Sequence, residues 1–255
     1  VCLHNKLKIM KILVCISIVP DTTSKITKEE SDNFLKKSDL TFIVGPYDDY
    51  ALSRAIEIKE SSENVEVAVL HVGLESSEPL IRKCLALGAD YAIRINGDPK
   101  SSIQIANEIC HYVKENNFDL ILMGKEAIDY NSGMIHGLVA SGLNFNHFSP
   151  VMKLEVKDQG IELQIETDLG KSTIQCNLPS VLGCQEPIAE WKIPSMRGIM
   201  TARTKELKVY EMKNNESNFE ITNESVNETN RKQILIPKEN LDLLIKALKK
   251  DIQFN

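Results

Sequence analysis

A polar, glycine-bearing stretch, GKEAIDYNSGMIHG at residues 124–137, follows the apolar run 119–123 and leads into residues at helical spacing. A loop in that place is either a bare connection, with Asn131 or Ser132 capping the next helix, or a cradle for an anion. In the cradle reading the amides of Ser132, Gly133 and Met134 lack an intrahelical acceptor. Together with the positive end of the helix dipole they attract a phosphate. Gly133 lets a ligand approach the backbone closely. The loop by itself leaves both readings open.

Other chemistries have no pattern to stand on. The sequence holds no nucleophile elbow (GxSxG), no HExxH, no CxxC, and no paired carboxylates that spacing alone can place. GKST at 170–173 resembles the end of a P-loop, but that motif needs a glycine five positions earlier, where Ile165 stands. It reads as a hairpin turn. Six cysteines, at 2, 15, 84, 110, 176 and 184, have no histidine at metal-finger spacing, and several lie inside apolar runs. They read as reduced and structural, without metal, in a reducing compartment.

The bulk numbers narrow the class further. The chain has 255 residues, 42% hydrophobic and 26% charged, as ordinary globular proteins do. A net charge of -6 and 5% aromatics argue against nucleic acid as a partner. No run reaches the roughly 18 apolar residues of a membrane span. KLKIMKILVCISIVPD mimics a weak signal peptide, but its β-branched content suits a buried strand better. Met10 reads as the start, with residues 1–9 as an upstream extension. The sequons at Asn215, Asn223 and Asn227 lie in an Asn/Glu/Ser-rich stretch and read as compositional accident.

The elements that must position the loop follow from periodicity. Residues 11–19 read as one buried parallel strand, and LTFIVGP as extended. Asp48 and Asp49 open a helix with Ala51, Leu52, Ala55 and Ile56 inward. VEVAVLHVG is a strand. Its helix has Pro79 at the start and Gly88 past the end. YAIRI is a third strand; Ser101 and Ser102 cap a helix with Ile103, Ala106, Ile109, Cys110 and Val113 inward. FDLILMG is a fourth strand. The loop then leads to a helix with Met134, Ile135, Leu138 and Val139 on one side. From Val151 the period becomes two, with turns at Asp158 and Asp168, which is antiparallel hairpin grammar. PSVLGC reads as one more sheet strand.

The expected fold is therefore α/β: a parallel, Rossmann-like, adenine nucleotide-binding sheet with an antiparallel hairpin addition and an extended C-terminal arm. The expected domains are 10–184 for the α/β part, 185–212 for an arm that docks on a partner, 213–233 for a polar linker and 234–255 for a C-terminal helix. In such sheets ligands bind outside the carboxyl ends of the strands. Four loops leave those ends here: CISIVPDT, GPYDD, HVGLESSEP and GKEAIDYNSG.

The ordered set MKILVCISIVPDT, GPYDDYALSRAIEIKE, IRKCLALGADYAIRI, LMGKEAIDYNSG and IPSMRGIMTAR resembles the β subunit of electron transfer flavoprotein, over residues 10–212. The resemblance implies a heterodimer with an α subunit that holds most of a redox-active FAD. It implies AMP, without redox work, in this subunit. By position the AMP contacts are Cys15; Gly45, Pro46, Tyr47 and Asp48; Val72; and Gly124, Lys125, Asp129, Tyr130, Asn131, Ser132, Gly133 and Met134. Thr22 falls where some members put a tyrosine against the flavin. IPSMRGIM matches the family's docking loop, with Met196 as the plug and Ile193 second. The implied role is an electron carrier without catalytic residues of its own, in the cytoplasm of a bacterium rather than a mitochondrial matrix. It takes electrons from flavin dehydrogenases such as acyl-CoA dehydrogenases and passes them to a membrane quinone oxidoreductase without inserting in the membrane. The loop YNSGM is shorter than in many members, and certain members hold a second FAD in the AMP pocket. That bifurcating arrangement, and a stand-alone adenine-nucleotide sensor or enzyme, are the alternatives.

Overall fold

The computed structural model describes residues 9–27, 36–157, 159–213, 222, 224–225 and 235–251. Residues 1–8, Asp158, the three sequons' asparagines and most of the 213–233 linker lie outside the described residues. The chain forms two units, one of residues 1–25 and 37–222, the other of 26–36 and 223–255. Among the described residues no helix is long and apolar enough to cross a membrane.

The first unit is built on a nine-stranded sheet. Its strands are β1 (Met10–Cys15), β4 (Val65–Val72), β5 (Tyr91–Asn96), β6 (Leu120–Gly124), β7 (Asn146–Lys157), β8 (Gly160–Thr167), β9 (Gly170–Cys176), β10 (Ser180–Cys184) and β11 (Leu207–Glu211). They lie in the order β11-β5-β4-β1-β6-β10-β7-β8-β9. Every pairing from β11 to β7 is parallel, and β8 and β9 add as antiparallel hairpins. Ile12, Leu13 and Val14 of β1 are fully buried. Alternation sends Ile12 and Val14 to one face and Leu13 to the other. The first face packs against α1 (Pro46–Glu60) and α2 (Glu78–Leu87), the second against α3 (Ser102–Glu115) and α4 (Ile135–Leu143). Each fully buried Leu or Ile in these layers contributes roughly 1.5–3 kcal/mol.

The helix punctuation follows the sequence signals. Pro79 stands in the first turn of α2, and Gly88, at φ 138°, ends it. Ser101 caps α3 by accepting from the amide of Gln104. Ile103, expected inward, is 57% exposed; the buried face begins at Gln104 and its apolar part at Ala106.

Two departures matter for the site. The run 11–19 is not one strand. The parallel ladder ends where the Ile16 amide donates to the Leu70 carbonyl. Ser17 then donates both its amide and its hydroxyl to Asp48 instead of a neighbouring strand. Beyond that break β2 (Ile18–Pro20) pairs antiparallel with β3 (Phe42–Val44) in a small separate sheet.

The second departure is in residues 185–213, where no clean period is legible. They carry a short helix, α5 (Met196–Ala202), and then return to the sheet as β11. Arg82 of α2 donates to the carbonyls of Ala202 and Lys205, and the Lys205 ammonium donates to those of Leu85 and Ala89 at the end of α2. Long-range side chains, invisible to periodicity, hold this segment.

In the second unit the described residues include α6 (Leu241–Asp251). Its apolar Leu241, Leu244, Ile245 and Leu248 are exposed.

Candidate functional site

β1, β4 and β6 end side by side, and a cleft of about 560 Å³, open mouth included, lies at their carboxyl ends. Cys15, Ile16 and Ser17 line it from β1 and its exit, and Leu70, His71 and Val72 from β4. Met123 and Gly124 come from β6, Ile105 and Ile109 from α3, Asp48 from α1, and Ile135 and His136 from α4. Glu126, Ala127 and Ser132 belong to the loop between β6 and α4.

Asp48 organises the floor. Its Oδ2 accepts from the Ser17 amide at 2.8 Å and the Ser17 hydroxyl at 2.5 Å, and its Oδ1 accepts from the Gly124 amide at 2.7 Å. Burial pushes the carboxyl up to about 6, against the pull of these three donors. The glycines around it are required by closeness. A Cβ on Gly45 would stand 2.5 Å from Asp48 Oδ2 and from the Ser17 hydroxyl. One on Gly124 would stand 2.7 Å from Asp48 Oδ1 and from the Tyr47 Cβ.

The 124–134 loop is anchored at both ends. The Lys125 amide donates to the Cys184 carbonyl of β10 at 2.9 Å. The Lys125 carbonyl accepts from His136 Nε2 at 2.9 Å. His136 Nε2 therefore carries the proton, and Nδ1 accepts from His147 Nε2 at 2.8 Å. Burial pushes the pKa of His136 down, and that of His147 down with a further push from His136. Asn131, at φ 50°, turns the chain so that Ala127 donates to the Ser132 carbonyl at 3.2 Å. Asn tolerates that left-handed backbone better than most residues. Ser132 Oγ meets Ser102 Oγ of α3 at 3.3 Å, which closes the loop onto α3.

This turn moves the helix start. Ser132 and Gly133 precede α4 rather than open it; Met134 is the N-cap and Ile135 the first helical residue. The amides without an intrahelical acceptor are those of Met134, Ile135, His136 and Gly137. An anion that uses this helix mouth meets them two residues later in the chain than spacing suggests.

Of the residues expected at an AMP site, Cys15, Asp48, Val72, Gly124 and Ser132 line one cleft. Gly45, Pro46 and Tyr47 stand behind Asp48 at the start of α1 and do not line it. Lys125 sits over the Tyr47 ring, its ammonium 4.9 Å from the centroid. Asp129, Tyr130 and Asn131 form the exposed turn, and Gly133 and Met134 are exposed before α4. None of these lines the cleft. Thr22 is exposed in the turn after β2, apart from the lining. Ile193 and Met196 are 75% and 79% exposed on the 185–213 segment. Sequence reasoning missed Ser17, His71 and His136. Each is a polar residue inside an apolar run, and that interruption was the available signal.

Chemically the cleft offers an apolar wall, Ile105, Ile109, Met123 and Ile135, and it touches the N-terminal turn of α4 at Ile135 and His136. That pair suits a flat base joined to an anion. His71 donates from Nδ1 to the Ile16 carbonyl at 3.0 Å, and burial pushes its pKa down, so it is neutral there. Among the described residues no group of three or more His, Cys, Asp or Glu could hold a metal ion.

Comparison with known proteins gives a consistent result. The model of one family, described as electron transfer flavoprotein domain, matches residues 34–214. The electron transfer flavoprotein subunit beta of Bacillus subtilis (strain 168) is 34% identical, over 80% of this chain and 79% of that one. The subunit beta of Dictyostelium discoideum is 28% identical over 94% and 98% of the two chains. That of Syntrophomonas wolfei is 32% identical over 77% of each.

Proposed function

Because this chain belongs to the electron transfer flavoprotein family, as a relative of its β subunits, we propose that it is the β subunit of a heterodimeric electron carrier and holds AMP in the cleft at the ends of β1, β4 and β6. One observation carries the nucleotide part: the strand ends and the first residues of α4 line the same cleft. The apolar wall of Ile105, Ile109, Met123 and Ile135 takes the base. The amides of Ile135 and His136, the first residues of α4 and both on the cleft, take the phosphate, with the helix dipole as the positive end. No arginine is needed for that. The contact of Ser132 with Ser102 bounds the cleft on the α3 side.

FAD, held mostly by the α subunit, supplies the redox chemistry when bound. This chain's residues bind, orient and exclude water. Thr22, exposed beside the small β2–β3 sheet, is the proposed flavin contact. Met196, with Ile193 second, is the proposed plug for a flavin dehydrogenase such as an acyl-CoA dehydrogenase. Met adapts to varied pockets, and both side chains stand free of the core. The acceptor is a membrane quinone oxidoreductase, and the setting is a bacterial cytoplasm. On this reading the chain is a carrier and not an enzyme.

The test is to co-express the chain with its α subunit and identify the small molecules released on denaturation. One FAD and one AMP per heterodimer is the expected result. Two FAD would place a second flavin in the cleft. A colourless stoichiometric complex would overturn the proposal.

A further inference from the structure

We propose that Trp191 is a positioning residue for partner docking: with Lys192 it pins the chain across α1, so that Ile193 and Met196 are held out to solvent in one pose. The inference deepens the docking reading above and rests on it.

The exposed stretch lies between two buried residues, Ile188 before it and Ala202 after it. Within it, adjacent residues reach in two directions. The Trp191 indole Nε1 donates to Asp49 Oδ2, in the first turn of α1, at 3.3 Å. The Lys192 ammonium donates to Glu60 Oε2, on the last residue of α1, at 2.7 Å. Asp49 and Glu60 are eleven residues apart, so roughly 16 Å of helix separates the two ties. Ties from neighbouring residues to opposite ends of one helix fix both the place and the direction of the chain that follows. The next residue is Ile193, and Ser195 then caps α5 by accepting from the Gly198 amide.

Trp191 carries more of this hold than Lys192. The Glu60 side chain is 61% exposed, and a surface ion pair of that kind is weak. Asp49 is buried, and its Oδ1 has no partner. Among the described residues Trp191 supplies the one hydrogen bond to that carboxylate. Removing the indole N–H leaves a buried carboxylate without a donor, which is costly. The Lys83 ammonium of α2 lies 6.0 Å from the indole centroid, at the outer reach of a cation–π contact, and steadies the ring from a second helix. A docking loop already held in its bound pose loses less freedom when the partner arrives.

Trp191 is the single tryptophan of the chain, so its emission reports on this contact alone. In the full chain, Asp49→Leu should open that emission to acrylamide quenching. Asp49→Asn, which keeps an acceptor oxygen, should leave it near wild type. Should Asp49→Leu fail to fold, Trp191→Phe serves, read by hydrogen exchange: the ring stays, the N–H goes, and the amides within 191–196 should exchange faster than in wild type. Docking is read in the heterodimer, with an acyl-CoA dehydrogenase and its acyl-CoA as the electron source. There Trp191→Ala should raise the KM for the carrier roughly fivefold, the scale of ordering one or two side chains, with kcat and the flavin spectrum unchanged. A residue that only stabilises the fold would lower the urea midpoint and leave KM alone. Equal quenching in wild type and Asp49→Leu, unchanged exchange in Trp191→Phe, or an unchanged KM in Trp191→Ala where Met196→Ala raises it would each overturn the proposal. If Ile193→Ala, Met196→Ala and Trp191→Ala all leave KM unchanged, the docking reading itself falls, and the role of Trp191 in docking with it. The quenching series distinguishes that case, because it reports the tie to Asp49 without any partner.

Discussion

At the residue scale the two glycines that bracket the β6–α4 loop differ in kind. Gly124 is needed for space, because its Cβ would overlap Asp48 and Tyr47 at 2.7 Å. Gly133 is looser; its Cβ would meet only the Lys125 carbonyl at 3.1 Å and then Glu126 at 4.0 Å. Gly124→Ala is expected to cost about 1–3 kcal/mol, the usual range for overpacking, and Gly133→Ala less than about 1 kcal/mol. Urea denaturation of the two variants checks the order. A second prediction concerns pH. The folded pKa of His136 is depressed by burial, so its contribution to stability is present above about 6.5, the ordinary histidine value, and lost as pH falls through the folded value. Asp48 runs the other way. Its raised pKa contributes stability below 3.8 that is lost as pH rises through about 6. A His136→Gln variant should therefore lose less stability than wild type between pH 7.5 and 5.5, read as the shift in urea midpoint. The sequence made the cleft legible as a set of loops: Cys15, Val72, Gly124 and Ser132 all come from strand exits that pattern alone could mark. It did not separate ligand-facing residues from their supports. Asp48 looked like a helix-dipole acid, and nothing in its spacing told that its oxygens go to Ser17 and Gly124.

At the element scale, periodicity served where one face is buried against a layer and failed where side chains reach across the fold. α1, α2 and α3 and the strands β4, β5 and β6 were legible from stripes and caps. α5 and β11 were not, because the 185–213 segment has no stripe of its own. Its stability comes from Arg82 and Lys205 bonding to backbone carbonyls. It also comes from a backbone approach at Gly198, where a Cβ would stand 2.2 Å from the Ala86 carbonyl oxygen of α2. Gly198→Ala is thus expected to push α5 off α2 and expose the amides of both elements. Hydrogen exchange should quicken in residues 196–211 while β1 and β6 keep their protection. Uniform slowing or no change would contradict that packing account. The same displacement would carry Met196 with it, so this variant also tests whether the exposed side chain needs a fixed base.

At the scale of the whole molecule, the sheet class and its hairpin addition followed from the change of period at Val151. The order of strands did not. β10 enters between β6 and β7, so a strand from late in the chain becomes an interior one, while β11 takes the far edge beside β5. Periodicity is a local property and cannot say which neighbours a strand will have. That insertion has a consequence for how the protein is made. The Lys125 amide takes its acceptor from Cys184, and β6 is flanked by Ser180–Cys184 along its whole length. A growing polypeptide that has emerged only through the β6–α4 turn lacks the rail that holds this turn. Nascent chains stalled before Ser180 should therefore retain no adenylate on the ribosome, whereas chains extended past β11 should. Capture of labelled AMP by a ladder of stalled chains would place the step. Retention by the shorter ones would show that the turn sets itself without its distant rail.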